Sequence, residues 1–304
     1  MSSLQHADPS DRCRFPCSSA THERAQSAPI VIVPDDEALV AQSDYILSIV
    51  PPRDALATAR RVVSAAKSQT TEEGRHPLYY LDLNAISPRS ARQISQVLEA
   101  SPRDVRFLDG GMIGAPPKPS SAASTTATPS QWTRPSIVLS GPHPLHEAPT
   151  SGADLASVLN TEHLGAQIGT ASGLKCCFAS LTKGLTALAI QSFGTASRLG
   201  VLPQLQSHLR AFSPKTGELV ARSLVGMPPK AYRWVAEMRQ VGETFAEEGG
   251  WALRASVFEH VAEVYRVVAE ETVLGREKNG ERWRGLTVED VAEAVSEGLG
   301  GKQR

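Results

Sequence analysis

No glycine occurs before Gly74 in the 304 residues of this sequence. A phosphate-binding turn of the G-x-G-x-x-G kind needs glycine where the backbone approaches a pyrophosphate, so no such turn opens the chain. Cysteine is scarce as well, with only Cys13, Cys17, Cys176 and Cys177. Four in so long a chain make no disulfide framework, and the adjacent pair 176–177 cannot bridge without distortion. A reducing, cytoplasmic compartment is expected. Neither sign of charge is in excess: 31 basic against 32 acidic residues leave a net charge of −1. That balance gives no footprint for a nucleic-acid groove or a polybasic membrane contact. Long apolar runs are missing too. None reaches the length of a membrane span, and the polar N-terminus has no signal-peptide core, so neither nucleic acid nor membrane is expected as a partner.

What is present is ordinary globular composition, 41% hydrophobic and 21% charged, with length enough for two cores. Residues 1–26 have no sustained period and read as disorder or a remnant segment. PIVIV (29–33) is a short apolar run, and DDEALVAQ (35–42) a short helix with acids in its first turn. DYILSIV (44–50), LYYLDL (78–83), VRFLD (105–109) and SIVLS (136–140) read as strands. Between them, RDALATARRVVSAAK (53–67) reads as an amphipathic helix, and Ser87-Pro88 starts another through Leu98. Such alternation predicts a parallel sheet with right-handed crossovers. PPKPSSAASTTATPSQWTRP (116–135) cannot bury enough apolar surface to offset its ordering and reads as a mobile surface loop.

After about Gly165 the pattern is helical throughout. Ser213-Pro214 and Pro228-Pro229 each open a helix, and Val257, Phe258, Val261, Val264, Tyr265 and Val268 share one face of a further helix. Thr287 and Asp290 have the form of a capping box. The central stretch is GAQIGTASGLKCCFASLTKGLTALAIQSF (165–193). Leu174, Phe178, Leu181, Leu185 and Leu188 recur at spacings of four and three, one apolar stripe along a helix. Lys175 sits beside that stripe, in the first turn. There the helix dipole and burial both disfavour its charge and bring it towards proton exchange near neutral pH. The plainer reading is a lysine whose stem covers apolar surface while its amine reaches water. His143 and His146 form an HxxH pair with no further ligand nearby in sequence, so no metal site is expected.

The segment GTASGLKCCFASLTKGLTAL (169–188) resembles the catalytic-lysine helix of the β-hydroxyacid dehydrogenases, the superfamily that includes 6-phosphogluconate dehydrogenase. It is most similar to the branch with a phosphogluconate-dehydrogenase-type C-terminal domain, and YRWVAEM (232–238) carries the same likeness. The resemblance implies an α/β plus all-α architecture: an incomplete Rossmann-like parallel-sheet domain over residues 27–163, then a helical domain over 164–304. It implies that Lys175 handles the proton of a substrate hydroxyl while hydride passes to NAD or NADP. Val50 and Pro51, at the tip of SDYILSIVPP, resemble the segment that touches the dinucleotide, at the carboxyl end of a strand where ligands bind. Asn84 in DLNAISP (82–88) stands where relatives carry Asp-x-Ser-Thr, and would offer its amide to cofactor ribose or substrate; turn or cap chemistry is its other role. Gly110 and Gly111 in DGGMIGAPP (109–117) match the substrate-binding segment, where bare backbone N–H groups approach an anion, or else form a plain glycine turn.

Two departures stand out. Ala179 replaces the asparagine that relatives carry four residues after the lysine, and Ile113 replaces a substrate-contacting serine. Relatives also open on the glycine turn this sequence lacks. Either that segment precedes Met1 or dinucleotide binding has been lost. Two functions follow: an NAD(P)-dependent oxidoreductase acting on a small hydroxy acid, or a non-catalytic relative kept for small-molecule binding or self-association. In both, a homodimer through residues 164–304 is expected.

Overall fold

The computed structural model describes residues 25, 28, 30–68, 75–119, 132–252 and 256–300. The readings of residues 1–24, with Cys13 and Cys17, and of the loop centre 120–131 lie outside these. Of PIVIV, residues 30–33 belong to no strand, and Ile30, Val31 and Ile32 are exposed, Val31 at 86%.

A five-stranded sheet is built from β1 (Tyr45–Ser48), β2 (Leu78–Asp82), β3 (Val105–Ile113), β6 (Ser136–Ser140) and β7 (Thr161–His163), in the order β1-β2-β3-β6-β7. Helices α1 (Asp36–Gln42), α2 (Ala55–Lys67) and α3 (Pro88–Glu99) accompany the first three strands. Alternation along β2 divides the packing. Leu78 and Tyr80 join Val62, Ile94 and Phe107 in one apolar cluster, while Tyr79 and Leu81 join Leu108, Leu139 and Leu145 in another. Helix α4 (Gly152–Leu159) covers the second face, contributing Ala156. The expected cap forms, with Ser87 Oγ accepting from Ser90 N at 3.1 Å and Pro88 in the first turn; Asp35, read from the sequence as the first helical residue, instead caps α1, its side chain accepting from Ala38 N.

The strand sense needs one correction. β1, β2 and β3 are parallel, but β3 and β6 pair antiparallel, and β7, which the sequence did not reveal, returns parallel to β6. The reason lies in the connection. A parallel neighbour needs a crossover helix, whereas residues 114–135 leave and return through a two-stranded antiparallel ribbon, β4 (Lys118–Pro119) with β5 (Trp132–Thr133).

The helical half begins with α5 (Thr170–Arg198), followed by α6 (Leu202–Phe212), α7 (Pro214–Gly226), α8 (Ala231–Glu247), α9 (Phe258–Glu271) and α10 (Val288–Gly300). Thr287 Oγ1 accepts from Asp290 N at 3.1 Å, as its capping motif requires. Helix α5 is long and apolar enough to cross a membrane by length and composition. Here it is the centre of a protein core, touching α7, α8, α9 and α10. Its inward face is made of small residues (Cys176, Ala179, Ala187, Ala189, Ala196) together with Ile190 and Phe193, which lets neighbouring helices approach closely. The large stripe read from the sequence points the other way. Leu174, Phe178, Leu181 and Leu188 are exposed, Leu181 at 76%, with Leu185 half-buried.

Candidate active site

A row of four polar residues crosses the sheet at the carboxyl ends of β1 and β2. Ser48 is in register with Asp82, Asp82 with Asp109, and Asp109 with Ser140. All four are buried, a costly arrangement unless each is satisfied. Two sets of partners do this.

The first set holds the tip of β1. Asn84 donates through Nδ2 to Ser48 Oγ and to Asp82 Oδ2, both at 3.0 Å, while its backbone N–H donates to Asp82 Oδ1 at 3.1 Å. Its Oδ1 accepts from Val50 N at 2.6 Å. The Asn84 amide is therefore fully engaged in fixing Val50, with Pro51 next along the chain. Burial pushes the Asp82 carboxyl up to about 7, against the hydrogen bonds from Asn84.

The second set opens α5. Gly169 takes φ 101° at the helix start, in the left-handed region, and has no side chain with which to cap. The first-turn donors are met from the sheet instead. Asp109 Oδ2 accepts from Gly169 N and Ser172 N, each at 3.0 Å, and from Ser140 Oγ at 3.1 Å; Asp109 Oδ1 accepts from the Ser172 hydroxyl. Ser140 Oγ in turn accepts from Ala171 N at 3.1 Å. The anion at this helix N-terminus is the protein's own carboxylate. Burial raises the Asp109 carboxyl despite these donors.

Capping from β3 fixes where Lys175 lies, one turn further on. A Cβ on Gly111 would come within 2.8 Å of Lys175 Cβ and 3.2 Å of its Cγ, so this glycine admits the lysine stem. Gly110 is equally crowded, by Leu83 and Leu139. Both glycines lie inside β3, in register with Leu139 and Val138, rather than in the turn read from the sequence. The Lys175 amine donates to the Met112 carbonyl oxygen. Burial lowers its readiness to hold a proton, and the nearby Lys183 ammonium lowers it further, with Glu237 opposing. Two of the groups foreseen are thus brought together, Lys175 with Gly111 and Asn84 with Val50. Among the described residues no hydrogen bond joins one group to the other.

Residues from α8 complete the surroundings, and sequence reasoning missed them. Gln240 Oε1 accepts from Ser87 N at 2.8 Å and Ser90 Oγ at 3.0 Å, and Glu243 accepts from the Ser87 hydroxyl. Arg89 pairs with Glu247 at 2.6 Å, locking α8 across the start of α3. Their signal was the polar face of α8, with Glu237, Gln240, Glu243 and Glu247 at helical spacing. Cys176, pushed up to about 12 by burial, is no nucleophile at neutral pH. His143 lies 2.7 Å from Arg106 through Nε2, and among the described residues no cluster of metal-ligand type occurs.

Lys175 thus stands in the second turn of α5, not in the first as the sequence suggested, and a mixed sheet feeding a helical half is the fold found in 3-hydroxyacid dehydrogenases. Comparison with solved structures bears this out. The chain matches a conserved hypothetical protein from Sinorhizobium meliloti 1021 with a TM-score of 0.57, at 19% identity, over 95% of this chain and 86% of that one. It matches 3-hydroxyisobutyrate dehydrogenase of Mycobacterium tuberculosis, solved with L-serine, with a TM-score of 0.56, at 16% identity, over 91% and 88%. The conserved protein MTH1747, of unknown function and itself similar to 3-hydroxyacid dehydrogenases, matches with a TM-score of 0.53, at 23% identity, over 83% and 84%. Residues 196–268 match the family model for a domain of unknown function, DUF1932. A curated relative, an uncharacterized 28.5 kDa protein in the 7S RNA 5′ region of Methanothermus fervidus, is 24% identical over 193 residues. The chain spans 62% of that relative's length. At these identities the likeness establishes the fold.

Proposed function

We propose that this chain is an oxidoreductase of the β-hydroxyacid dehydrogenase type, acting on a small hydroxy acid with NAD or NADP, in which Lys175 takes and returns the proton of the substrate hydroxyl. The observation that carries this reading is the placement of Lys175. Asp109 and Ser140 anchor the helix, Gly111 clears space for the stem, and burial keeps the amine ready to act as a base. Val50 and Pro51 are assigned to the cofactor side, with Asn84 acting through its hold on Val50 rather than by offering its own amide, and Gly110 and Gly111 to the substrate side.

The described residues do not fit a dinucleotide pyrophosphate. The segment after β1 reads Val50-Pro51-Pro52-Arg53-Asp54, in which two prolines offer no N–H and an aspartate sits at the start of α2. This observation favours the second reading, a relative that has lost dinucleotide binding and serves in small-molecule binding or self-association. Oxidation of a panel of small hydroxy acids with millimolar NAD+ or NADP+, followed through reduced nicotinamide absorbance, separates the two. Turnover supports the first; its absence together with undetectable cofactor binding supports the second.

We also propose a homodimer, in a cytoplasmic setting. The outward stripe on α5 runs from Leu174 to Leu188, about 21 Å at the standard helical rise. Large apolar side chains left along one helix in this way match a second copy of themselves about a two-fold axis.

A further inference from the structure

The short segment 84–87, between β2 and α3, is fastened at three points, each to a different element. Asn84, Ile86 and Ser87 in it are all buried. Asn84 holds the tip of β1 through Val50 N and Ser48 Oγ. The Ile86 carbonyl oxygen accepts from the Cys176 thiol of α5 at 3.4 Å, while the Ile86 side chain joins the apolar cluster of Tyr80 and Ile94. Ser87 is tied to α8, its N–H by Gln240 and its hydroxyl by Glu243. One short stretch of chain thus joins the tip of β1, α5 and α8.

The tie to α8 supplies what the local sequence lacks. In a capping box, the cap serine accepts an N–H from the third helical residue, and a glutamate or glutamine at that third position reaches back to the N–H of the cap. At α3 the first half is present, Ser90 N donating to Ser87 Oγ at 3.1 Å. The third position is Ser90 itself, which makes no return bond and whose hydroxyl donates to Gln240 Oε1 at 3.0 Å. The buried Ser87 N–H finds its acceptor in the same Gln240 oxygen, at 2.8 Å, so another helix completes the box. A buried N–H without an acceptor is costly, and Ser87 keeps its place only while α8 keeps its own. Helix α8 also touches the turn Pro52–Asp54, directly beyond Val50 and Pro51.

We propose that Gln240 and Glu243 are positioning residues for the cofactor side of the site: by holding Ser87 they fix segment 84–87 and, through Asn84, the Val50 amide at the tip of β1. Their action passes through the chain, not through contact with a ligand. The placement of the helical half is carried in this way to a strand tip in the sheet half. The exposed pair Arg92–Glu248 also joins α3 to the end of α8, but from a position beyond the cap, and it leaves segment 84–87 alone. The proposal rests on the assignment of Val50 to the cofactor side, and deepens it.

The test is amide hydrogen exchange in the full chain, read residue by residue by NMR with no cofactor or substrate present. Gln240→Met removes the acceptor at nearly constant volume. It should speed exchange of the Val50 amide about tenfold or more and move its proton resonance upfield, as the 2.6 Å hydrogen bond to Asn84 loosens. The Ala171 and Ser172 amides, held by Ser140 and Asp109, should change by no more than about twofold. Arg92→Gln removes an exposed ion pair between α3 and the end of α8, and should leave Val50 unchanged. If Gln240→Met does not fold, judged by near-UV circular dichroism, Glu243→Ala is read instead. That side chain is 30% exposed, and its loss should give a smaller rise at Val50 with the same pattern. Unchanged exchange at Val50 in the folded variant, or a rise matched at Ser172 or in Arg92→Gln, overturns the proposal. The two readings fail separately: a chain with the expected pattern that oxidises no hydroxy acid refutes the dehydrogenase assignment alone.

Discussion

At the scale of single residues, Gly111 carries the clearest consequence. Alanine there would force its Cβ to within 2.8 Å of the Lys175 stem, tighter than real contacts allow. Overpacking of this kind costs about 1–3 kcal/mol, and it displaces the one amine on which the proposed chemistry depends. Gly111→Ala should therefore lower turnover at least tenfold and lower the urea midpoint by the amount that this cost implies; unaltered turnover in a folded variant would remove Gly111 from the site. Asp82 supplies a pH dependence. Its carboxyl titrates near 7 in the folded chain, against an ordinary value of 3.8. The folded chain keeps a proton that the unfolded chain releases between those values. The stabilisation this gives is complete below the lower value and is lost as pH rises through the upper one. The unfolding free energy from urea titration should fall from about pH 5 to about pH 8, by an amount on the order of a few kcal/mol, and Asp82→Asn should flatten that slope. A slope unchanged in the variant would place the titration elsewhere.

Among the elements, α5 is where sequence and structure part most instructively. The helix, its lysine and the stripe from Leu174 to Leu188 were legible from periodicity, as were the Ser87 cap and the four longer strands. Which side of α5 meets the core was not. Both faces are apolar, and the small face won because alanines and glycines let neighbouring helices pack close, which a count of hydrophobic residues does not reveal. The antiparallel β6 and the short β7 were hidden for another reason: strand sense is set by the connection, and residues 114–135 carry no periodic signal. The tie between Asp109 and the start of α5 joins groups 60 and 63 residues apart, beyond any local pattern. Asp109→Ala leaves buried donors on Gly169, Ser172 and Ser140 without an acceptor. The cost should be about 3 kcal/mol or more, read as a lower denaturation midpoint, with greater amide exchange in the first turn of α5. Exchange confined to other helices would argue against the cap. On the outward face, Leu181→Asp should convert a dimer to a monomer in light scattering without loss of helicity. A monomeric unaltered chain would count decisively against self-association through this stripe.

For the whole molecule, the sheet half fixes the first turn of α5 through Asp109 and Ser140, and Lys175 follows on the next turn. The pyrophosphate of a dinucleotide finds no cradle in the described residues. Calorimetric titration with NADH or NADPH should accordingly give no saturation in the micromolar range, and micromolar binding would mean that another element holds the phosphates. The most direct measurement is turnover of small hydroxy acids by the full chain and by Lys175→Met, at millimolar NAD+ or NADP+ so that weak binding does not hide the chemistry. Removal of one positioned proton-transfer group lowers rate by about a hundred- to ten-thousand-fold, and a loss of that size with circular dichroism unchanged is the predicted result. Turnover by Lys175→Met within a few-fold of the unaltered chain, or no turnover by either, would contradict the role assigned to Lys175.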